Sequence, residues 1–297
     1  MGIDRIVLGT VALGLPYGLP PAGATAPVLV DEAVAAGLID AARQGGIDVF
    51  DTAPAYGVAE ERLGRALGPA GSVWTKVDAR LTVVDDLPVR VPASLDASLV
   101  RLRRGRLDLL QWHNWTAALG AHAGWRQAWQ AVTADPRVAA RGCSTYGVDD
   151  AVAAVTSGWF QVVQVEGNLL NPRVLDALVE PARRNGVTIA VRSVFLQGVL
   201  TPKGTALPPH LAALGPARER AAARAAALGL PLHHLALRAI LDHPVAPRVL
   251  VGLDGLDQLA DTMAAATRVP LSAREQAALA DLAVDPALTD PRTWGRP

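Results

Sequence analysis

The chain has a single cysteine, Cys143, in 297 residues, so no internal disulfide can form and a reducing compartment is expected. It also lacks an excess of either charge, with Lys plus Arg and Asp plus Glu balanced at 28 each. A global field that would draw nucleic acid or an anionic membrane surface is thereby excluded, and a small-molecule partner is expected. No run approaches the roughly 18 uninterrupted apolar residues of a membrane helix, and Met1-Gly2-Ile3-Asp4-Arg5 has no basic segment followed by an apolar one. A cytoplasmic, soluble protein is the expectation. No composition shift or long polar linker divides the sequence, so one domain over 1–297 is expected, with 285–297 a loop-like tail. The oligomeric state leaves no mark in the sequence.

What is present is an alternation of short apolar runs and helical stretches. Ile6-Val7-Leu8-Gly9-Thr10 reads as a strand, Leu13 to Gly23 as a Gly/Pro-rich loop, and 30–43 as an amphipathic helix. Further strands are predicted at 48–53, 72–77, 107–113, 138–145, 161–166, 188–193 and 247–252. Helices are predicted at 59–67, 92–103, 124–134, 149–157, 174–185, 207–242 (divided by Gly229-Leu230-Pro231) and 256–267. Eight strands alternating with eight or nine helices imply parallel pairing, and predict an α/β fold closed as a (β/α)8 barrel. An open doubly wound sheet is the alternative, but its G-x-G-x-x-G turn is missing after Leu8.

In such a barrel the carboxyl ends of the strands share one mouth, so ionisable residues there are site candidates. Asp51 ends the second strand, Tyr56 follows it, Lys76 ends the third and His113 the fourth. Singly each has an ordinary reading as turn former, solvated charge or hydrogen-bonder. Jointly they make chemical sense. An ammonium at Lys76 would lower the pKa of Tyr56 from about 10, Asp51 would hold that ammonium, and His113 would donate to an oxygen gaining negative charge. The set predicts hydride addition to a carbonyl with Tyr56 as proton donor.

Asp51-Thr52-Ala53-Pro54-Ala55-Tyr56-Gly57-Val58-Ala59-Glu60, with Leu63-Gly64, closely resembles the signature of the aldo-keto reductases. The similarity continues through Thr75-Lys76, Gln111-Trp112-His113, Gly142-Cys143-Ser144, Gln164-Val165-Glu166-Gly167-Asn168 and Arg192-Ser193-Val194-Phe195-Leu196-Gln197-Gly198. This resemblance implies a TIM barrel, NADPH or NADH as cofactor, and the tetrad Asp51, Tyr56, Lys76 and His113 with Tyr56 as general acid. It further implies that Ser144 and Gln164 hold the nicotinamide carboxamide, with Thr145 where the family commonly has Asn. Arg192 stands where an aromatic residue often stacks on the nicotinamide, and Ser193 with the backbone to Leu196 would line the pyrophosphate site.

At the adenosine end, Gly252 and Gln258 occupy the places of a Lys and an Arg, Leu253 and Thr262 those of a Ser and an Asn, and Asp254 and Asp257 add negative charge. A weak grip on a 2′-phosphate follows, and NADH is expected alongside NADPH. Tyr17, Trp112 and Trp115 are substrate-facing candidates by position, with Tyr146 and Trp294 behind them, although each tryptophan also has a packing reading. The opening Leu8-Gly9-Thr10-Val11-Ala12-Leu13-Gly14-Leu15-Pro16-Tyr17-Gly18 resembles a bacterial subgroup often linked to sugar-like or secondary metabolites, a resemblance that implies a polar carbonyl substrate. No metal is expected: His233-His234 lies in a helical stretch away from the strand ends, without a third residue at ligand spacing. Two alternatives stay open, a lyase, dehydratase or epimerase using the same residues without redox chemistry, and a dinucleotide-binding regulatory protein.

Overall fold

A computed structural model of the chain describes residues 2–21, 23–78, 86–245 and 247–294. Eight strands, β1 (Ile6–Gly9), β2 (Val49–Asp51), β3 (Ser72–Lys76), β4 (Leu109–Trp112), β5 (Arg141–Ser144), β6 (Val162–Glu166), β7 (Thr188–Arg192) and β8 (Arg248–Gly252), pair in sequence order. All pairings are parallel, and β8 returns to β1 to close the barrel. Closure leaves no open sheet edge. The (β/α)8 expectation holds, and every predicted strand is found, most of them shorter by one or more residues.

The helices are α1 (Val11–Gly14), α2 (Glu32–Gln44), α3 (Ala59–Leu67), α4 (Leu87–Leu102), α5 (Ala117–Ala121), α6 (Ala123–Thr133), α7 (Val148–Thr156), α8 (Arg173–Asn185), α9 (Gly215–Ala227), α10 (Leu232–Leu241), α11 (Leu256–Thr267) and α12 (Ala273–Ala277). α5 and α12 lie outside every predicted helix, and three further stretches differ from the sequence pattern. α1 is one helical turn, outside every predicted helix, that takes in the first two residues of the predicted loop, and α4 starts at Leu87 because Pro88 sits in the first turn, where its missing N–H costs nothing. The stretch 207–242 resolves into a 3₁₀ turn at Pro209–Leu214, then α9 and α10, the last opening after Pro231. Among the described residues no helix is long and apolar enough to cross a membrane.

Side-chain alternation along the strands sorts the barrel into layers. Leu8, Phe50, Val73, Leu110, Cys143, Val163, Val191 and Val251 turn outward into the core shared with the helices. Their neighbours Val7, Val49, Trp74, Leu109, Val162, Ala190 and Leu250 turn inward and form a separate apolar plug. Two residues further along each strand, the inward layer changes chemistry to Gly9, Asp51, Lys76, Gln111, Ser144, Gln164, Arg192 and Gly252. The plug thus closes one end of the barrel, and the polar layer forms the floor of the other.

Candidate active site

The polar floor is organised around a saturated carboxylate. Asp51, 2% exposed, accepts from Lys76 Nζ on Oδ2 at 2.6 Å, and on Oδ1 from Gln111 Nε2 at 2.9 Å and Gln164 Nε2 at 3.0 Å. Lys76 also donates to the Thr52 carbonyl at 2.9 Å and bonds Tyr56, its nitrogen lying 5.0 Å from that ring's centre. An ion pair this deep persists only when further hydrogen bonds satisfy both partners, as they do here. Burial pulls the Lys76 pKa down, but Asp51 and Tyr56 more than offset it, and the ammonium ends above its ordinary range.

Tyr56 sits in the turn between β2 and α3, half-buried, with its ring edge-on to His113 at 6.0 Å between centres. Burial raises the phenol's pKa; Lys76 opposes this and Asp51 reinforces it, and the net direction is upward. The sequence-based expectation of a lowered value is corrected, since desolvation outweighs the ammonium. His113 lies just past β4, and burial, with Lys76 and Arg192 nearby, drives its pKa down to about 3, so the ring is neutral near pH 7. Its Nδ1 has no partner among the described residues.

Backbone packing fixes the Tyr56 turn. The Gly14 carbonyl at the end of α1 accepts from Val58 N–H at 3.2 Å, and a Cβ on Gly14 would lie 1.8 Å from the Tyr56 carbonyl oxygen. No side chain fits there. Arg62 of α3 binds the Leu13 and Val30 carbonyls at 2.8 and 2.6 Å, clamping α1 and the approach to α2 against the same turn.

Above the floor opens a cavity of about 990 Å³, lined by Tyr17, Asp51, Tyr56, His113, Ser144, Gln164, Arg192, Ser193, Gly252 and Gln258 among others. At one end Arg192 donates to the Thr145 carbonyl at 2.9 Å, pairs with Glu166 at 3.5 Å and lies 3.9 Å from the centre of the Tyr146 ring. Arg292, from the predicted tail, lies 3.8 Å from the same centre. Two guanidinium groups so near one centroid take opposite faces of the ring, so the tail covers part of the mouth. Residues 295–297 of that tail lie outside the described residues.

At the other end Lys203, in the loop after β7, pairs with Asp254, which Gln258 also binds. Between the two ends, the β7 loop carries positive φ at Ser193 (64°), Leu196 (47°) and Gln197 (54°). Non-glycine residues in this region cost about 1–3 kcal/mol each and concentrate at ligand sites.

Comparison with known proteins decides the family. The model of the aldo/keto reductase family matches residues 5–283. The chain belongs to the aldo/keto reductase family. It is 27% identical over 215 residues to the aldo-keto reductase YhdN of Bacillus subtilis, a match that spans 68% of this chain and 61% of that protein. In fold it is similar to the aldo-keto reductase AKR11C1 from Bacillus halodurans, holo form, at 22% identity and a TM-score of 0.75, covering 94% of this chain and 92% of that one. It is also similar in fold to the glycerol dehydrogenase AKR11B4 from Gluconobacter oxydans, at 22% identity and a TM-score of 0.73, covering 94% and 90%. Use of NADPH or NADH is typical of the family.

The aldo/keto reductase site fits such a dinucleotide on its own geometry. Gln164 Oε1, buried at the floor, has no partner among the described residues and is free to accept from an amide. The positive-φ loop brings backbone to the cavity wall midway along its length. The Leu196 side chain is fully buried in a second apolar cluster, while its neighbours Ser193, Val194, Phe195, Gln197 and Gly198 line the cavity.

Trp112 and Trp115 do not face the cavity. Both pack outside the barrel with Trp125, Trp129 and Phe160 in edge-on and tilted contacts. The reason is the strand period: if His113 and Gln111 point inward, Trp112 points out. Trp294 is a similar case, its Nε1 donating to the Leu288 carbonyl at 3.0 Å beside the second cluster. Gln111, Lys203 and Arg292 were not singled out in the sequence. Gln111 carried a signal, its place two residues before His113; the other two sit in irregular segments with none.

The histidine pair is a further correction. His233 lines the cavity, and Asp261 of α11 binds both rings. A carboxylate therefore does join them, brought there by the packing of α10 on α11.

Proposed function

We propose that this chain interconverts an aldehyde or ketone and its alcohol by hydride transfer with NADPH or NADH, in the cytoplasm. What supports the reading most is the meeting of Asp51, Lys76, Tyr56 and His113 at the floor of one cavity, with Tyr56 and His113 facing its interior.

Bound nicotinamide supplies or accepts the hydride at the carbonyl carbon. Every other step belongs to the chain. Ser144 and the unpaired Gln164 Oε1 would hold the carboxamide, and the Ser193–Gly198 backbone would hold the phosphates. Neutral His113 donates a hydrogen bond to the carbonyl oxygen, polarising it. Tyr56 passes its phenolic proton to that oxygen as hydride reaches carbon, and the resulting phenolate is stabilised by the Lys76 ammonium, which Asp51 keeps charged and in place. A raised phenol pKa keeps Tyr56 protonated through neutral pH, as an acid must be. Tyr17, across the cavity, is the substrate-facing residue on this reading. A polar carbonyl compound suits a mouth that carries Tyr17, Asn114, Tyr146 and Arg292.

The test is to titrate purified protein with NADPH and NADH by tryptophan fluorescence, then assay a carbonyl panel with wild type and Tyr56→Phe. Saturable binding, with turnover that falls by roughly 10²–10⁴-fold in the variant, is expected. Absence of binding by either dinucleotide would overturn the proposal.

A further inference from the structure

The cluster of His233, His234 and Asp261 lies outside the proton-handling floor and takes no part in the mechanism above. The two histidines are the second and third residues of α10, and Asp261 sits in the middle of α11. Neighbouring side chains on a helix diverge by about 100°. Here the rings nevertheless converge: their centres are 4.7 Å apart, His234 Nε2 lies 2.8 Å from Asp261 Oδ1, and His233 Nε2 meets Oδ2. One ligating atom from each of the three residues falls within 4.8 Å of the others, and the described residues hold no other such group.

Exposure grades across the trio as a site with one open side requires. His234 is buried (side chain 8% exposed), His233 is 19% exposed and Asp261 is 45% exposed. His233 and Asp261 line the same cavity end as Lys203, Asp254 and Asp257. Lys203 pairs with Asp254, so the carboxylates of Asp257 and Asp261 bring negative charge to this wall that no lysine pairs with among the described residues and that a divalent cation would offset.

We propose that His233, His234 and Asp261 form a binding site for a divalent transition cation such as Zn²⁺ or Co²⁺, held by the two Nε2 atoms and the carboxylate. Two imidazoles and one carboxylate select a borderline cation over Mg²⁺ or Ca²⁺, which take oxygen ligands. Three protein ligands leave positions for water or a cavity-bound oxygen, the arrangement of an open rather than a closed metal site.

The experiment uses tag-free, chelator-treated and nucleotide-free protein, so that its outcome is independent of carbonyl reduction. Co²⁺ is titrated and followed by its visible absorption, with Zn²⁺ as competitor, against His233→Asn and Asp261→Asn. Both positions are partly exposed, and circular dichroism checks that the variants remain folded. One saturable Co²⁺ per chain is expected, displaced by Zn²⁺, with affinity falling in each variant by more than the roughly 10–100-fold that loss of an outer-shell partner costs. Zn²⁺ should also raise the melting temperature of wild type and leave that of Asp261→Asn unchanged. No saturable binding, or equal binding by the folded variants, overturns the proposal.

Discussion

Both lysines of the chain, Lys76 and Lys203, are paired with aspartates that line the same cavity. Lys76 and Asp51 are 0% and 3% exposed, and their remaining hydrogen bonds are met by Thr52, Tyr56, Gln111 and Gln164. Lys203 and Asp254 are 25% and 29% exposed, and among the described residues only Gln258 supports them. A buried pair is costly to break because either partner alone is an uncompensated charge in a low dielectric, whereas an exposed pair trades its partner for water. The proposed mechanism places its proton donor, Tyr56, at the first kind of pair. The second kind marks the end where the family pattern is eroded and two further carboxylates, Asp257 and Asp261, face the cavity.

The sharpest way to break this contrast is to remove each lysine in turn. Lys76→Met is expected to abolish turnover while leaving dinucleotide affinity nearly intact, and to lower stability by about 3–5 kcal/mol as Asp51 loses its partner. Lys203→Met is expected to cost no more than about 1 kcal/mol. Denaturant melts and kinetics on both variants decide it, and equal losses would erase the distinction.

Gly14→Ala tests whether Tyr56, the proposed proton donor, is held by packing alone. A Cβ placed 1.8 Å from the Tyr56 carbonyl oxygen must push the turn aside, and a displacement near 1 Å is expected to lower kcat by about 10²-fold. Dinucleotide affinity, set at the other end, should change little.

His113 gives a pH test confined to the catalytic end. Its pKa falls from about 6.5 unfolded to about 3 folded. The unfolded chain therefore binds more protons between these values, so this contribution to stability is complete above pH 6.5 and is lost as pH falls toward 3. His113→Gln should flatten that acid limb in melting experiments, and an unchanged slope would contradict the neutral, buried imidazole.

The smallest effect is expected at the nucleotide end. Asp257→Asn removes one exposed charge and should tighten NADPH relative to NADH by roughly two- to fivefold at low salt, an effect that shrinks as ionic strength rises. Fluorescence titration with both dinucleotides at two salt concentrations measures it.

The catalytic end was far more legible in the sequence than the other, for physical reasons. Asp51 and Lys76 end strands and His113 directly follows one, and strand period alone places such residues on one side of a barrel; Gln111 follows by the same rule. That rule, applied one residue further, would also have turned Trp112 outward. His233, His234 and Asp261 meet through α10 packing on α11, a contact between residues 27 and 28 positions apart that no local pattern encodes. Lys203 and Arg292 reach the cavity from irregular loops, where neither period nor turn chemistry predicts direction. The net rise at Tyr56 was hidden for a different reason, since the sequence names its charged neighbours but not the depth at which they meet.

The scarcity of lysine also bears on how the protein can be observed. With the Lys76 side chain wholly enclosed and Lys203 a quarter exposed, an amine-selective reagent finds one lysine side chain within reach. Apart from the α-amino group, a fluorophore coupled to the chain's amines would therefore sit at Lys203, beside Asp254 and Gln258 on the cavity wall, and leave Lys76 unmodified.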